Sequence, residues 1–168
     1  MIKDKNVCSK KVFDEIFRSH SSDLHDFLYY KFGEDNNPKD LVQEAFMKLW
    51  ENCKEVLPEK ARSYLFTVAS NKMLNSISRK KTVLTYKPES SIYNIETPEY
   101  LMEEAEYKNK LQKAIEELTE DQRVTFLLNR IEGKKHKEIA EMLEISKKAV
   151  EKRIYTTLNI LRKKIGDI

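Results

Sequence analysis

Apolar residues recur every three or four positions along most of this 168-residue chain, which is the spacing of one face of an α-helix. The first such stretch covers residues 11–32 and has a candidate break at Ser21 and Ser22; Gly33 is a natural stop after it. The apolar positions form two stripes, Phe13, Ile16 and Phe17 and then Leu24, Phe27, Leu28 and Phe32. The pattern predicts helix on both sides of the serine pair.

A second apolar stretch follows Asn37 and Pro38, which suit the N-cap and the first turn of a helix. Its apolar residues keep a helical period throughout: Leu41, Val42, Ala45, Phe46, Leu49, Trp50 and Cys53. The opposite face includes Asp40, Gln43, Glu44 and Met47. Periodicity alone favours a polar face that is only solvated, so it does not establish a binding role for these four residues.

A third helical unit is predicted after Pro58, and its candidate core positions are Leu65, Val68, Ala69 and Ile77. Residues 61–87 contain no acidic residue but hold Arg62, Lys72, Arg79, Lys80, Lys81 and Lys87. Such cations can neutralise phosphates. Nearby amides and rings can hold single-stranded bases, and the candidates are Tyr64, Phe66, Asn71 and Asn75. Core packing is the alternative for the two rings.

The helical period is lost across residues 82–98, which contain two prolines and a serine pair and therefore indicate a linker. An acidic helical segment follows. Thr119 and Gln122 then form a candidate capping box for a helix at about residues 120–131, which Gly133 ends. We predict an all-α protein with two small helical domains, residues 8–81 and 107–166, joined by a flexible linker at residues 82–106.

Two short helices with a three-residue hinge are predicted at residues 137–154, which read KEIAEMLEISKKAVEKRI. Ala140 allows a close helix crossing, Ile145 fills the turn, and Ser146 is a good N-cap. An apolar stripe must be buried on the second helix: Val150, Ile154, Leu158, Leu161 and Ile165. The outward positions are Ser146, Lys147, Lys148, Glu151, Lys152 and Tyr155. This arrangement suits a DNA-reading helix-turn-helix, although an αα-hairpin with solvated charges is the alternative.

Charge supports the DNA interpretation only locally. The net charge of +3 is weak evidence for any partner, but residues 133–164 hold ten Lys and Arg against four Glu. The cysteines, Cys8 and Cys53, offer no CxxC pair and no disulfide framework, and the three histidines show no metal-ligand spacing with them. We expect no metal, no cofactor and no enzyme activity, since no nucleophile–base pair or Gly-rich phosphate loop occurs. We also expect no signal peptide and no membrane span, and hence a cytoplasmic protein.

With those residues identified, the chain resembles the RNA polymerase sigma-70 family, and above all its small extracytoplasmic-function group. The C-terminal match begins LTEDQRVTFLLNRIEGKKHKEIAEMLEIS and is similar to the domain that reads the minus-thirty-five promoter element. The stretch DLVQEAFMKLWENC is similar to the family's core-binding helix. The stretch ARSYLFTVASNKMLNSISRKK is similar to the segment that melts and reads the minus-ten element.

The resemblance implies three sets of site residues. Asp40, Gln43, Glu44 and Met47 would bind core polymerase. The minus-ten contacts would be Tyr64, Asn71, Lys72, Asn75, Arg79, Lys80 and Lys81, with Asn71 at the family's flipped-base position. The minus-thirty-five contacts would be Ser146, Lys147, Lys148, Glu151, Lys152 and Tyr155. The implied partners are RNA polymerase core, promoter DNA as duplex and as melted strand, and an anti-sigma factor.

The hinge departs from the family pattern, because Glu144 stands where the family often has Gly. That position demands a left-handed or turn conformation, which costs a non-Gly residue about 1 kcal/mol. Two other functions remain open. A helix-turn-helix regulator of operators would leave the residue 40–50 helix unexplained, and a helical protein-binding adaptor would show no salt-dependent affinity for DNA.

Overall fold

The structure is a computed structural model that describes residues 6–76 and 98–166, without the side chains of residues 75, 76 and 98–104. No strand occurs in these ranges, and the predicted all-α fold is confirmed. The helices are α1 (Lys10–Phe32), α2 (Pro38–Glu51), α3 (Ala61–Ser76), α4 (Pro98–Glu116), α5 (Glu120–Arg130), α6 (His136–Leu143) and α7 (Lys147–Ile165). The chain divides into two compact units, one with α1–α3 and one with α4–α7. None of the described helices is both long enough and apolar enough to cross a membrane.

Helix α1 is continuous from Lys10 to Phe32, so the break predicted at Ser21 and Ser22 is wrong. A serine fits inside a helix when its hydroxyl bonds the carbonyl one turn back, as Ser19 does with the carbonyl of Glu15 at 2.7 Å. The predicted C-terminal stop is confirmed. Gly33 has a φ of 83° and donates its N–H to the carbonyl of Tyr29 at 2.8 Å.

Helix α2 begins at Pro38 as predicted, but Asn37 does not cap it with its side chain. Asn37 adopts a left-handed conformation, and its backbone carbonyl accepts from the N–H groups of Asp40 and Leu41 at 3.0 and 3.2 Å. The core between α1, α2 and α3 contains most of the predicted apolar residues. Its fully buried members are Leu24, Leu28, Ala45, Leu49, Ala61, Leu65 and Ala69. Ile77 lies outside the described residues.

Cys8 and Cys53 form a disulfide, so the expectation of no disulfide is wrong. Their Cα atoms are 4.9 Å apart although 45 residues separate them in sequence. The N-terminal segment runs back along the end of α2, where Val7 is fully buried and donates its N–H to the carbonyl of Cys53 at 3.1 Å. Sequence spacing could not reveal this pairing because it depends on how α1 and α2 pack.

The second unit packs α4, α5 and α6 against α7. The predicted capping box at α5 is confirmed: Thr119 Oγ1 accepts from the N–H of Gln122, whose Oε1 accepts from the N–H of Thr119. Fully buried apolar side chains hold the unit together: Leu128, Ile139, Val150 and Leu161. Helix α4 begins at Pro98, within the interval 82–106 assigned to the linker, while residues 82–97 lie outside the described part of the chain.

Polar contacts position the ends of these helices. Arg123 is buried, and its guanidinium donates to the carbonyl of Leu118 at 3.3 Å, near the end of α4. Burial lowers the pKa of Arg123 from its ordinary value. On the surface, Arg153 of α7 pairs with Asp121 of α5 at 2.7 Å. The Arg153–Asp121 pair joins the first turn of α5 to α7.

Candidate functional site

One exposed face of α2 carries all four residues that the sequence assigned to polymerase binding. Asp40, Gln43, Glu44 and Met47 are spaced three and four positions apart, so they lie on one side of the helix, and each is exposed. Met47 is the most apolar of them and is 63% exposed. We call these four residues the α2 face. It offers two carboxylates, one amide and one flexible apolar side chain to a partner.

An exposed aromatic edge lies beside the α2 face and joins α1 to α2. The ring of Phe13 meets those of Phe46 and Trp50 edge-on, with centroids 5.9 and 5.1 Å apart, and Phe17 meets Phe46 at 4.9 Å. Trp50 and Phe17 remain 49% and 45% exposed. The sequence pattern placed both in apolar stripes facing the core, and no local signal distinguished them from buried positions. Aromatic side chains such as these two are enriched at protein interfaces relative to the rest of the surface.

One predicted minus-ten residue of α3, Lys72, meets the α2 face directly. Asn71 and Lys72 are both exposed, and the Lys72 ammonium pairs with the carboxylate of Glu44. A cation assigned to DNA and a carboxylate assigned to polymerase therefore contact each other. Asn75 lies on α3, although its side chain is not described, and Arg79, Lys80 and Lys81 fall outside the described residues.

Tyr64 is half-buried and connects α3 to the end of α2. Its hydroxyl accepts from the amide of Asn52 at 2.9 Å and donates to the carbonyl of Lys48 at 3.4 Å. The same Asn52 amide donates to the Lys48 carbonyl at 2.9 Å. These bonds satisfy polar groups at the C-terminal end of α2. Tyr64 therefore has a structural role that is independent of any stacking of its ring on a DNA base.

Two other members of the acid-free segment face the first unit's own core. Phe66 is buried and packs on Phe27 with centroids 5.1 Å apart, so core packing is confirmed for this ring. The Arg62 guanidinium lies 5.9 Å from the centroid of Phe66. Burial, and then the positive charge of Arg62, lower the pKa of His20 on α1.

Helices α6 and α7 have the predicted helix-turn-helix arrangement, with Glu144–Ser146 between them. Glu144 is left-handed, at φ 54° and ψ 39°, which confirms the conformation expected at the hinge. Ser146 Oγ accepts from the N–H of Ala149 at 3.2 Å, so the predicted N-cap of α7 is also confirmed. Ala140 and Val150 are buried at the crossing.

The outward side of α7 brings together all six residues that the sequence assigned to duplex DNA. Each is exposed, and we call the group the α7 face: Ser146, Lys147, Lys148, Glu151, Lys152 and Tyr155. Glu151 is its single carboxylate. It pairs with Lys147 at 3.4 Å and with His136, the first residue of α6, at 3.7 Å. The sequence pattern gave no indication that His136 lies beside Glu151, because these residues are 15 positions apart on different helices.

Comparisons with known proteins agree with this arrangement. The family profile described as "Sigma-70 region 2" matches residues 16–83, and the profile described as "Sigma-70, region 4" matches residues 108–159. The ECF RNA polymerase sigma factor SigW of Bacillus subtilis is 24% identical over 99% of this chain and 96% of its own length. The ECF RNA polymerase sigma factor SigE of Mycolicibacterium smegmatis is 23% identical over 89% of this chain, which spans 60% of that relative.

A solved structure supports the fold. The structure of CnrH in complex with the cytosolic domain of CnrY matches 92% of this chain and 88% of that chain, with a TM-score of 0.54 and 22% sequence identity. At this level of identity, the likeness concerns the fold alone.

Proposed function

Because this chain belongs to the sigma-70 family, in its extracytoplasmic-function group, we propose that it directs core RNA polymerase to specific promoters and helps to melt them. The observation that carries the proposal is that one chain holds both family regions and exposes a candidate binding face on each: the α2 face and the α7 face. In this role the polymerase supplies the chemistry of RNA synthesis, and the present chain supplies binding and recognition.

The α2 face docks on a coiled coil of the polymerase's largest subunit. Asp40 and Glu44 offer carboxylates, which suit bidentate hydrogen bonds from Arg. Gln43 adds an amide that both donates and accepts. Protein interfaces are enriched in Met and aromatic side chains at their centres, so Met47 and the neighbouring Trp50 supply the apolar part of the contact.

The α3 surface captures the melted minus-ten strand. Asn71 offers hydrogen bonds to the edge of an extruded base, while Lys72 neutralises a phosphate. Five further residues, assigned from the sequence, belong to the same proposed surface: Tyr64, Asn75, Arg79, Lys80 and Lys81. Tyr64 contributes the exposed part of its half-buried ring. Extruding a base costs a few kcal/mol, which these contacts would offset.

The α7 face reads the minus-thirty-five element. Its residues begin at the N-terminus of α7, and the first turns of a recognition helix lie closest to base edges in the major groove. Lys147, Lys148 and Lys152 supply phosphate contacts, and Glu151 can accept a hydrogen bond from the amino group of cytosine. The helix N-terminus also favours a phosphate.

The domain arrangement and the other partners complete the proposal. Residues 8–81 and 107–166 act as the two DNA-reading domains, and the stretch of chain between them lets both engage one promoter. We place the chain in the cytoplasm with the polymerase. We also propose an anti-sigma partner that holds it inactive; CnrH, a protein of similar fold, was solved in complex with the cytosolic domain of CnrY.

Run-off transcription with purified core polymerase tests the proposal. We expect promoter-specific transcripts only when this chain is added. An operator-binding regulator would bind duplex promoter DNA without enabling initiation, and a protein adaptor would neither bind DNA nor enable initiation. Either of those outcomes would overturn the proposed function.

A further inference from the structure

The two cysteines of the first unit sit where a reversible bond can form. Their Cα atoms are 4.9 Å apart, inside the range that a disulfide spans without backbone movement. Both side chains are half-buried, so small oxidants and reductants can reach the sulfur atoms. They are the only two cysteines in the chain, so each has one intramolecular partner.

The bond ties the N-terminal segment to the end of the helix that carries the α2 face. Cys53 follows Asn52, the C-cap residue of α2, and the carbonyl of Cys53 accepts from the N–H of Val7. Val7 is fully buried, while Asn6 accepts from the N–H of Cys8 through its side chain at 3.2 Å. The segment before α1 is therefore held against the end of α2 by one apolar anchor, one backbone hydrogen bond and the disulfide.

We propose that Cys8 and Cys53 form a redox-sensitive site that peroxide oxidises, and that the resulting disulfide strengthens docking of the α2 face on core polymerase. The proposal rests on the proposed function, which places the chain in a reducing compartment. Disulfides there are rare and are usually transient or redox-sensing. A disulfide that holds the end of α2 in place reduces the ordering that binding would otherwise require, and this raises affinity.

The oxidation step is balanced with hydrogen peroxide as the oxidant. The thiolate of one cysteine attacks a peroxide oxygen, which gives a sulfenic acid and releases hydroxide. The thiolate of the other cysteine attacks that sulfur, forms the S–S bond and displaces a second hydroxide. Two thiols and one peroxide thus yield one disulfide and two water molecules, once the two released protons are counted. A dithiol such as dithiothreitol reverses the reaction by exchange.

Thiol labelling of the full chain tests the site directly. The reduced chain is exposed to peroxide or to buffer and alkylated with iodoacetamide, and its intact mass is then measured by mass spectrometry. We expect two labels on the reduced chain, none on the oxidised monomer, and two again after dithiothreitol. Thermal unfolding of the first unit should occur about 10 °C lower after reduction, because the bond closes a long loop. The Cys8→Ser, Cys53→Ser double variant should unfold at one temperature in both conditions.

Core polymerase binding then tests the consequence. We expect the reduced chain to bind severalfold more weakly than the oxidised chain, and the double serine variant to show no redox dependence. Two labels after peroxide, or disulfide-linked dimers alone, would overturn the site. Equal affinity in both redox states would overturn its coupling to docking. A chain that forms the disulfide but never supports transcription would instead overturn the proposed function, so the two failures are distinguishable.

Discussion

Replacing Glu144 with Gly should stabilise the second unit. Glu144 is left-handed, at φ 54° and ψ 39°, where an L side chain crowds its own backbone. Such a residue costs roughly 1–2 kcal/mol, which Gly avoids. Glycine also has more backbone freedom in the unfolded chain, and this stabilises the unfolded state by roughly 0.5–1 kcal/mol. The net gain in the free energy of unfolding is therefore at most about 1.5 kcal/mol and centres on about 0.7 kcal/mol, which corresponds to a rise in Tm of about 4 °C for a unit of this size.

Thermal unfolding followed by circular dichroism measures this shift, and two matched variants isolate its cause. Glu144→Ala removes the same carboxylate but keeps the left-handed strain, so its Tm should not rise. Gly133→Ala is the converse change: Gly133 has a φ of +64°, and an added Cβ would meet nothing within 4 Å. This variant should have a free energy of unfolding lower by about 1 kcal/mol, through backbone strain alone. If Glu144→Ala raised the Tm as much as Glu144→Gly, the effect would come from charge, and the backbone reasoning would be refuted.

Three further changes test the proposed surfaces and the capping. Lys148→Glu with Lys152→Glu should abolish binding to upstream promoter duplex in a gel-shift assay, because each swap turns a phosphate attraction into repulsion. Polymerase association should stay intact, and loss of both activities would argue against separate surfaces. Asp40→Arg should weaken core polymerase binding at least tenfold in a pull-down titration, whereas the exposed control Glu59→Arg should not. Equal affinity of the Asp40→Arg variant and the unchanged chain would reject the α2 face as the docking surface. Thr119→Ala should lower the free energy of unfolding by about 1 kcal/mol in urea titration, and an unchanged midpoint would show that the capping box contributes nothing.

Local patterns predicted most of the helices because the interactions that form a helix lie within a few residues of each other. The Thr119–Gln122 capping box, the Ser146 cap and the left-handed Glu144 were all predicted from neighbouring residues, and all three are present. Ser21 and Ser22 misled the prediction because serine is common at helix ends. Inside α1 the helix runs through both serines without a break.

The candidate faces on α2 and α7 could also be predicted, since residues three and four apart on one helix must lie on one side of it. The prediction that one face binds polymerase and the other binds DNA came from the resemblance to a family. The sequence could not show that Lys72 pairs with Glu44, because these residues lie 28 positions apart on different helices. Nor could it show that Trp50 and Phe17 remain exposed beside the α2 face, since apolar periodicity does not say where the neighbouring helix ends.

By itself, the sequence determined the helical class, the division into two helical domains, the caps and the outward faces of single helices. Only the tertiary structure decided which helices meet: it paired Cys8 with Cys53, joined Lys72 to Glu44 and turned Tyr64 toward the end of α2. The physical reason is distance along the chain. Helical periodicity and capping repeat within one or two turns and leave a readable pattern, whereas contacts between helices depend on packing angles that many distant side chains set together.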